Sequence, residues 1–178
     1  MREYEAVVFD MDGVIFDSEK KVVECWQVLA DKYGFTGIEQ ACRACLGTTK
    51  EKSKEIMLQR YGEDFPYETY SAEASKLFHE RYDGGRLPKK TGIEKILQAL
   101  SQKGKKIALA SSTRRQTVES QLREAGLIGY FDKIICGDMV EKSKPEPDIY
   151  IRACKELGVL PEQAYAIEDS YNGIRSAY

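Results

Sequence analysis

The chain has 178 residues, of which 42% are hydrophobic and 31% charged, enough for one core and a small additional domain. Lysine and arginine total 27, aspartate and glutamate 29, and the net charge of −2 gives no global attraction to nucleic acid or to an anionic membrane. The N-terminus lacks a secretory signal pattern and no apolar run approaches the roughly 20 residues that span a bilayer, which predicts a cytoplasmic protein.

The first predicted element is a strand from Tyr4 to Asp10, a run rich in β-forming residues. It leads into Asp10-Met11-Asp12-Gly13-Val14, where one residue separates two carboxylates. Chemistry in α/β sheets lies at the carboxyl ends of the strands. Two acids beside a buried strand repel each other unless a cation, a proton or hydrogen-bond donors compensate them. The pair therefore predicts a metal-assisted acid site.

A long stretch of helical pattern follows this strand. Apolar residues recur at helical spacing from Val22 to Tyr33, and again from Tyr67 to Tyr82. The Gly84-Gly85 pair then breaks the pattern and provides a hinge. We predict an all-helical insertion, with the chain divided into residues 1–16, 17–84 and 85–178.

Strands and helices alternate in the remainder of the chain. Sheet-like runs occur at Lys106 to Ala110, Lys133 to Cys136 and Ala164 to Ile167. Between them lie apolar stripes with helical spacing. Such alternation predicts an α/β fold with a doubly wound parallel sheet that is covered by helices on both faces.

A polar group also follows each of these later strands. Ser111 follows the second strand, Lys144 lies beyond the third, and Glu168 with Asp169 follows the fourth. Parallel strands bring such groups to one sheet edge, close to Asp10. Together they supply what phosphoryl transfer needs: a nucleophile, an acid or base, a divalent cation and donors for phosphate oxygens.

The cysteines and the single histidine favour no other chemistry. Cys42 and Cys45 form a lone C-x-x-C without a second pair to complete a zinc site, which predicts reduced cysteines that serve in packing. His79 falls in a polar helical stretch, so we expect a surface residue and not part of a Ser-His-Asp triad.

In this order, the motifs resemble those of the haloacid dehalogenase superfamily, in particular its phosphatases and phosphomutases with a helical cap inserted after the first motif. The resemblance covers almost the whole chain, and the ordered set is far more specific than any one motif. The matching segments are Asp10-Met11-Asp12-Gly13-Val14, Asp17-Ser18-Glu19, Ala110-Ser111-Ser112, Lys144-Pro145, Pro147-Asp148 and Glu168-Asp169-Ser170. The implied fold is a Rossmann-like core with a helical cap.

The resemblance implies roles for these residues. Asp10 would be the nucleophile that forms an aspartyl-phosphate, and Asp12 the general acid and base. The implied cofactor is Mg²⁺, a hard cation that suits oxygen ligands. Its implied ligands are Asp10, Asp12 through the backbone carbonyl, Asp169 and, directly or through water, Glu168. The phosphoryl group would be bound by Ser111, Ser112 and Lys144.

The implied activity is hydrolysis of a small phosphate monoester, such as a sugar phosphate or similar metabolite. One alternative is a mutase similar to β-phosphoglucomutase. Those mutases carry a histidine on the helix after the first motif, and an ungapped count places it at Val22, which disfavours that alternative.

The other alternative is a phosphoacceptor switch domain. Receiver domains have adjacent acids at the first strand and their acceptor after a later one, whereas here Met11 separates the acids, which favours the enzyme.

Substrate selection in the family is a property of the cap. The substrate-facing candidates are Glu19, Lys20, Trp26, Lys50 and Arg114. Lys50 belongs to Leu46-Gly47-Thr48-Thr49-Lys50, which is similar to a cap loop that contacts substrate in relatives. For Lys20, Trp26 and Lys50, a surface charge or a packing role is an equally open alternative.

Family members continue past the helix that begins at Ser170 with another strand and helix. Since this sequence stops at Tyr178, we expect a truncated core whose fourth strand has an unpaired edge.

Overall fold

The computed structural model describes residues 3–45, 48 and 50–178. The chain divides into two compact units. The sheet unit comprises Met1–Asp17 and Leu87–Tyr178, and the helical unit comprises Ser18–Arg86. No helix among the described residues is both long and apolar enough to cross a bilayer.

The sheet unit is built on four parallel strands: β1 (Ala6–Phe9), β2 (Lys106–Ser111), β3 (Lys133–Cys136) and β4 (Ala164–Ile167). The strand order is β3-β2-β1-β4. Val8 pairs with Ala108 on one side and with Ala166 on the other, so these three strands run in step. The connection from β1 runs first toward β2 and β3, and the chain later returns to the far side of β1. The topological switch point therefore lies between β1 and β4.

The helical unit contains α1 (Ser18–Tyr33), α2 (Ile38–Cys45), α3 (Lys50–Tyr61) and α4 (Tyr67–Tyr82). Its core contains buried residues from every helix, including Leu29, Ile38, Met57 and Ala74. Tyr33 stacks on Tyr70 with 4.4 Å between ring centroids, which ties α1 to α4.

Helices α5 (Ile93–Gln102), α6 (Arg115–Glu124), α7 (Asp148–Leu157) and α8 (Tyr171–Ala177) belong to the sheet unit. Helix α7 packs on β1, β2 and β3, and α5 packs on β2. Ile149 and Ala153 of α7 contact the sheet face that presents Val8 and Ala110. The predicted α/β fold with a parallel sheet is confirmed. Every residue of the central strand β1 is apolar and buried, as expected for a parallel strand covered on both faces, whereas β4 is partly exposed.

Cys136 ends β3, whereas the other four cysteines and His79 lie on helices. All five cysteines are free thiols. Burial raises the pKa of the Cys42 thiol to about 12, which disfavours the thiolate that metal binding requires. His79 is exposed on α4 and lies 3.0 Å from the Asp83 carboxylate.

Buried side chains of β2 hold the strand that ends in Ser111. Truncating one of them is expected to lower the free energy of unfolding. Leu109 is fully buried and Leu160 is 64% exposed. We expect Leu109→Ala to lower the free energy of unfolding by about 2–5 kcal/mol, because a cavity replaces buried methyl groups. The matched Leu160→Ala is expected to change it by less than about 1 kcal/mol. Urea denaturation of both variants measures this, and equal losses would contradict the core assignment.

Candidate active site

The carboxyl ends of β1 and β4 remain paired one residue beyond the strands. The backbone N–H of Asp10 donates to the Ile167 carbonyl at 2.9 Å. This places Asp10 beside Glu168 and Asp169 at the switch point of the sheet. Ser111 ends β2, the neighbour on the other side, and is fully buried. The predicted convergence of polar groups at one sheet edge is thus what parallel pairing in this register produces.

Lys144 is the centre of the hydrogen-bond network. Its ammonium donates to Asp10 Oδ1 at 2.7 Å, to Glu168 Oε1 at 2.5 Å and to the Ala110 carbonyl at 3.0 Å. The side chains of Lys144, Asp10 and Glu168 are 7%, 11% and 4% exposed. Because an ammonium has three donors, these contacts use all of them. One buried positive charge therefore faces two buried carboxylates.

The charges in this network do not balance. Burial raises the pKa of Asp10 from 3.8 to about 7; Lys144 opposes this rise, while Glu168 and Asp12 add to it. Burial also raises the pKa of Asp169, and Glu168 adds to it. For Glu168, burial acts upward, but the charge and hydrogen bonds of Lys144 and Tyr150 keep the pKa below its usual value. The site accommodates a proton or an additional cation.

A divalent cation fits this deficit. Carboxylate oxygens of Asp10, Glu168 and Asp169, one from each residue, lie within 4.8 Å of one another. Oxygen ligands of this kind are those that Mg²⁺ prefers. The side chain of Asp12 is not one of the three carboxylates in this cluster.

Two glycines give the acids their space. A Cβ at Gly13, whose φ is +76°, would lie 1.8 Å from Asp169 Oδ2, and a Cβ at Gly173 would lie 2.0 Å from Glu168 Oε1. Either side chain would displace a carboxylate. Gly13 is part of the first motif, whereas no pattern in the sequence distinguishes Gly173 from a helix glycine.

Asp12 is oriented by a residue that sequence analysis did not assign to the site. Thr113 Oγ1 donates to Asp12 Oδ2 at 3.2 Å, and the Thr113 N–H donates to Ser111 Oγ at 3.1 Å. Thr113 thus links the loop after β2 to the loop after β1. Ser112, predicted to bind phosphate, is exposed.

Four of the predicted substrate-facing residues lie in the helical unit. Trp26 is 7% exposed and stacks on Tyr67, so it belongs to the core of that unit. Glu19 and Trp26 line a cavity of about 230 Å³. Lys20 is exposed, and Lys50 forms an ion pair with Glu68 at 3.2 Å. Arg114, in the sheet unit, is exposed and directly precedes α6. Of the predicted substrate loop, Leu46, Gly47 and Thr49 lie outside the described residues.

A family model of haloacid dehalogenase-like hydrolases matches residues 7–178. The chain belongs to this family. The resemblance inferred from the motifs is confirmed by this match, which includes every strand of the sheet except the first residue of β1.

Relatives in this family include phosphatases and a mutase. The chain is 32% identical over 178 residues to a phosphorylated carbohydrates phosphatase of Thermotoga maritima, covering 97% of this chain and 80% of the relative. It is also 32% identical over 178 residues to a β-phosphoglucomutase of Bacillus subtilis, covering 96% and 77%. The crystal structure of CbbY from Rhodobacter sphaeroides with phosphate superposes with a TM-score of 0.72 at 31% identity, covering 98% of this chain and 81% of that one.

The raised pKa of Asp10 has a consequence for stability. A carboxyl group with a raised pKa in the folded state stabilises the protein below its unfolded value of 3.8, and this contribution is lost as the pH rises toward 7. Without divalent cations, we expect Asp10→Asn to gain roughly 2 to 4 kcal/mol relative to wild type between about pH 4 and about pH 8. Denaturant unfolding in EDTA measures the difference.

For the control variant, Glu168→Gln, the change in stability with pH is expected to have the opposite sign. The pKa of Glu168 is lowered, so its charge stabilises the protein above its ordinary value of 4.5 and that contribution is lost in acid. Glu168→Gln is therefore expected to become less stable relative to wild type as the pH rises. A difference between Asp10→Asn and wild type that stays constant with pH would refute the account of Asp10.

Gly13 provides a test of the space beside Asp169. We expect Gly13→Ala to weaken Mg²⁺ binding at least about tenfold in isothermal titration calorimetry, because the new methyl group displaces the Asp169 carboxylate. Gly104→Ala is the matched control: its φ is +64°, and nothing lies within 4 Å of the added Cβ. Both variants carry about 1–2 kcal/mol of backbone strain. Equal loss of Mg²⁺ affinity in the two would show that strain, and not the carboxylate, is responsible.

Proposed function

We propose that this chain is a Mg²⁺-dependent phosphatase that hydrolyses small phosphate monoesters, such as sugar phosphates, through a phosphoaspartate at Asp10. The observation that carries the proposal is the buried Lys144 ammonium, which contacts both Asp10 and Glu168 next to the acidic cluster. Such a site presents a carboxylate nucleophile together with a positive charge for phosphoryl oxygens. The phosphatases among the relatives support the same chemistry.

Mg²⁺ would be held by Asp10, Asp169 and the Asp12 backbone carbonyl, with Glu168 beside them, and would supply positive charge next to the phosphoryl oxygens. Lys144 holds Asp10 Oδ1, so we assign Oδ2 to the attack on phosphorus. The new Oδ2–P bond forms as the bond between phosphorus and the alcohol oxygen breaks. Ser111 would donate a hydrogen bond to a phosphoryl oxygen as its charge redistributes, and Lys144 would do the same by exchanging one of its three present contacts for that oxygen.

Asp12 is assigned the proton transfers. In its protonated form it gives a proton to the departing alcohol oxygen. As a carboxylate it then takes a proton from the water that attacks the phosphoaspartate, which releases inorganic phosphate and restores Asp10. The hydrogen bond from Thr113 to Asp12 Oδ2 supports this assignment, because it ties the Asp12 carboxylate to the loop that follows Ser111.

We assign the helical unit the role of a cap that selects the alcohol part of the substrate. Its place in the chain supports this: it is inserted directly after the first motif, between Asp17 and Leu87. The candidates for contact with the alcohol are Glu19, Lys20, Lys50 and Arg114, with Trp26 shaping the cavity beside Glu19.

A mutase is the second candidate, because a β-phosphoglucomutase is among the relatives at 32% identity. The residue at the position of the mutase histidine is Val22, which is 40% exposed on α1 and has no group that could donate or accept a proton. Hydrolysis is therefore the activity that we propose.

A screen of phosphate esters tests the proposal directly. We expect phosphate release with Mg²⁺ and none in EDTA, and a loss of at least about 10³ in kcat/KM, or ~4 kcal/mol, for Asp10→Asn. Asp132→Asn is the control, since this acid accepts the Ile107 N–H at 2.8 Å and an asparagine oxygen can do the same. Undiminished activity of Asp10→Asn would overturn the assignment of the nucleophile. Isomerisation of β-glucose 1-phosphate without phosphate release would favour the mutase.

A further inference from the structure

Tyr150 contacts the Lys144 network from inside the core. It lies in the first turn of α7 and is 6% exposed, and its ring is packed among Ala110, Ile135 and other residues of the sheet. Its hydroxyl donates to Glu168 Oε1 at 2.8 Å. Its ring centroid lies 5.1 Å from Lys144 Nζ, within the range of a cation–π contact. One side chain thus touches both partners of an ion pair.

Glu168 is held at both of its oxygens. Oε2 accepts hydrogen bonds from the backbone N–H groups of Asp169 and Ser170 and from the Ser170 hydroxyl, at 3.1 to 3.3 Å. Oε1 accepts from Lys144 and from Tyr150. The carboxylate lies so close to α8 that a side chain in place of Gly173 would collide with it. The hydroxyl of Tyr150 is therefore the second donor to the same oxygen that attracts Lys144.

We propose that Tyr150 is a positioning residue of the site: its hydroxyl shares Glu168 Oε1 with Lys144, so that the ammonium stays in contact with Asp10. Without this hydroxyl, Lys144 alone neutralises that oxygen. The Glu168 carboxylate, having lost its second donor at this oxygen, then shifts together with the ammonium paired to it, away from Asp10, where the phosphoryl group is transferred. The proposal rests on the proposed function for its effect on catalysis, but the position of Lys144 is independent of it.

The chain contains a matched control for this arrangement. In the helical unit, the Tyr82 hydroxyl donates to Glu24 Oε2 at 2.9 Å. Lys21 pairs with the same glutamate at 2.7 Å and lies 5.7 Å from the Tyr82 ring centroid. The three residue types are the same as around Glu168, but Lys21 contacts both oxygens of Glu24, and this more exposed trio lies in the helical unit, whereas the acidic cluster lies in the sheet unit.

The test compares Tyr150→Phe with Tyr82→Phe. Both variants keep the ring, so we expect both to fold, which circular dichroism and thermal unfolding check. Tyr150→Phe is expected to lower kcat about tenfold with less than about a twofold change in KM for the ester, because the lysine contact is needed most in the transition state. Tyr82→Phe is expected to leave both constants unchanged. Equal effects of the two variants would overturn the proposal.

A double-mutant cycle separates positioning from simple packing. If Tyr150 acts through Glu168, adding Tyr150→Phe to Glu168→Gln is expected to lower kcat by less than about twofold. The same tenfold loss in both backgrounds would overturn the proposal, since it would show that the hydroxyl acts independently of Glu168.

A crystal structure of Tyr150→Phe distinguishes failure of this proposal from failure of the proposed function. We expect the distance between Lys144 Nζ and Asp10 Oδ1 to exceed hydrogen-bond range. If wild type hydrolyses no ester with Mg²⁺, the proposed function fails, and this distance alone decides the role of Tyr150. A lysine that still contacts Asp10 in the variant would overturn the proposal.

Discussion

The buried ammonium of Lys144 is the interaction on which the candidate site depends. It joins the ends of three neighbouring strands, through Asp10 after β1, the Ala110 carbonyl of β2 and Glu168 after β4. An ion pair in this position contributes little to stability, because taking the charges out of water offsets their attraction. Its physical effect is to fix where the carboxylates lie. The same positive charge that joins the two acids also faces the place where a phosphoryl group would be transferred.

The site combines this fixed geometry with more negative charge than Lys144 alone can neutralise. Four acids, Asp10, Asp12, Glu168 and Asp169, lie at the ends of β1 and β4, and Asp10 is left with a pKa near neutrality. Gly13 and Gly173 leave space for the carboxylates where any side chain would collide with them. A site with crowded oxygen ligands and too little positive charge is suited to a divalent cation and an anionic substrate. Phosphoryl transfer uses both.

Much of the sheet unit could be predicted from the sequence, because its strands are short, largely apolar runs with polar residues at or beyond their carboxyl ends. The order of motifs also placed Asp10, Lys144 and Glu168 together, since parallel strands in step bring their ends to one edge. Thr113, Tyr150 and Gly173 could not be found in this way. Tyr150 has the pattern of a core residue in an amphipathic helix, and only the folded chain shows that its hydroxyl reaches Glu168. For Trp26, the sequence left substrate contact and packing open, and burial in the helical unit favours packing.

The central claim is that Asp10 carries the phosphoryl group during turnover. Rapid mixing of the protein with Mg²⁺ and a hydrolysed ester, followed by borohydride quenching, reduces a phosphoaspartate to homoserine, which peptide mass spectrometry locates. We expect homoserine at position 10, and none at that position without ester. Homoserine at another acid, or ester consumption with residue 10 unchanged throughout the time course, would contradict it.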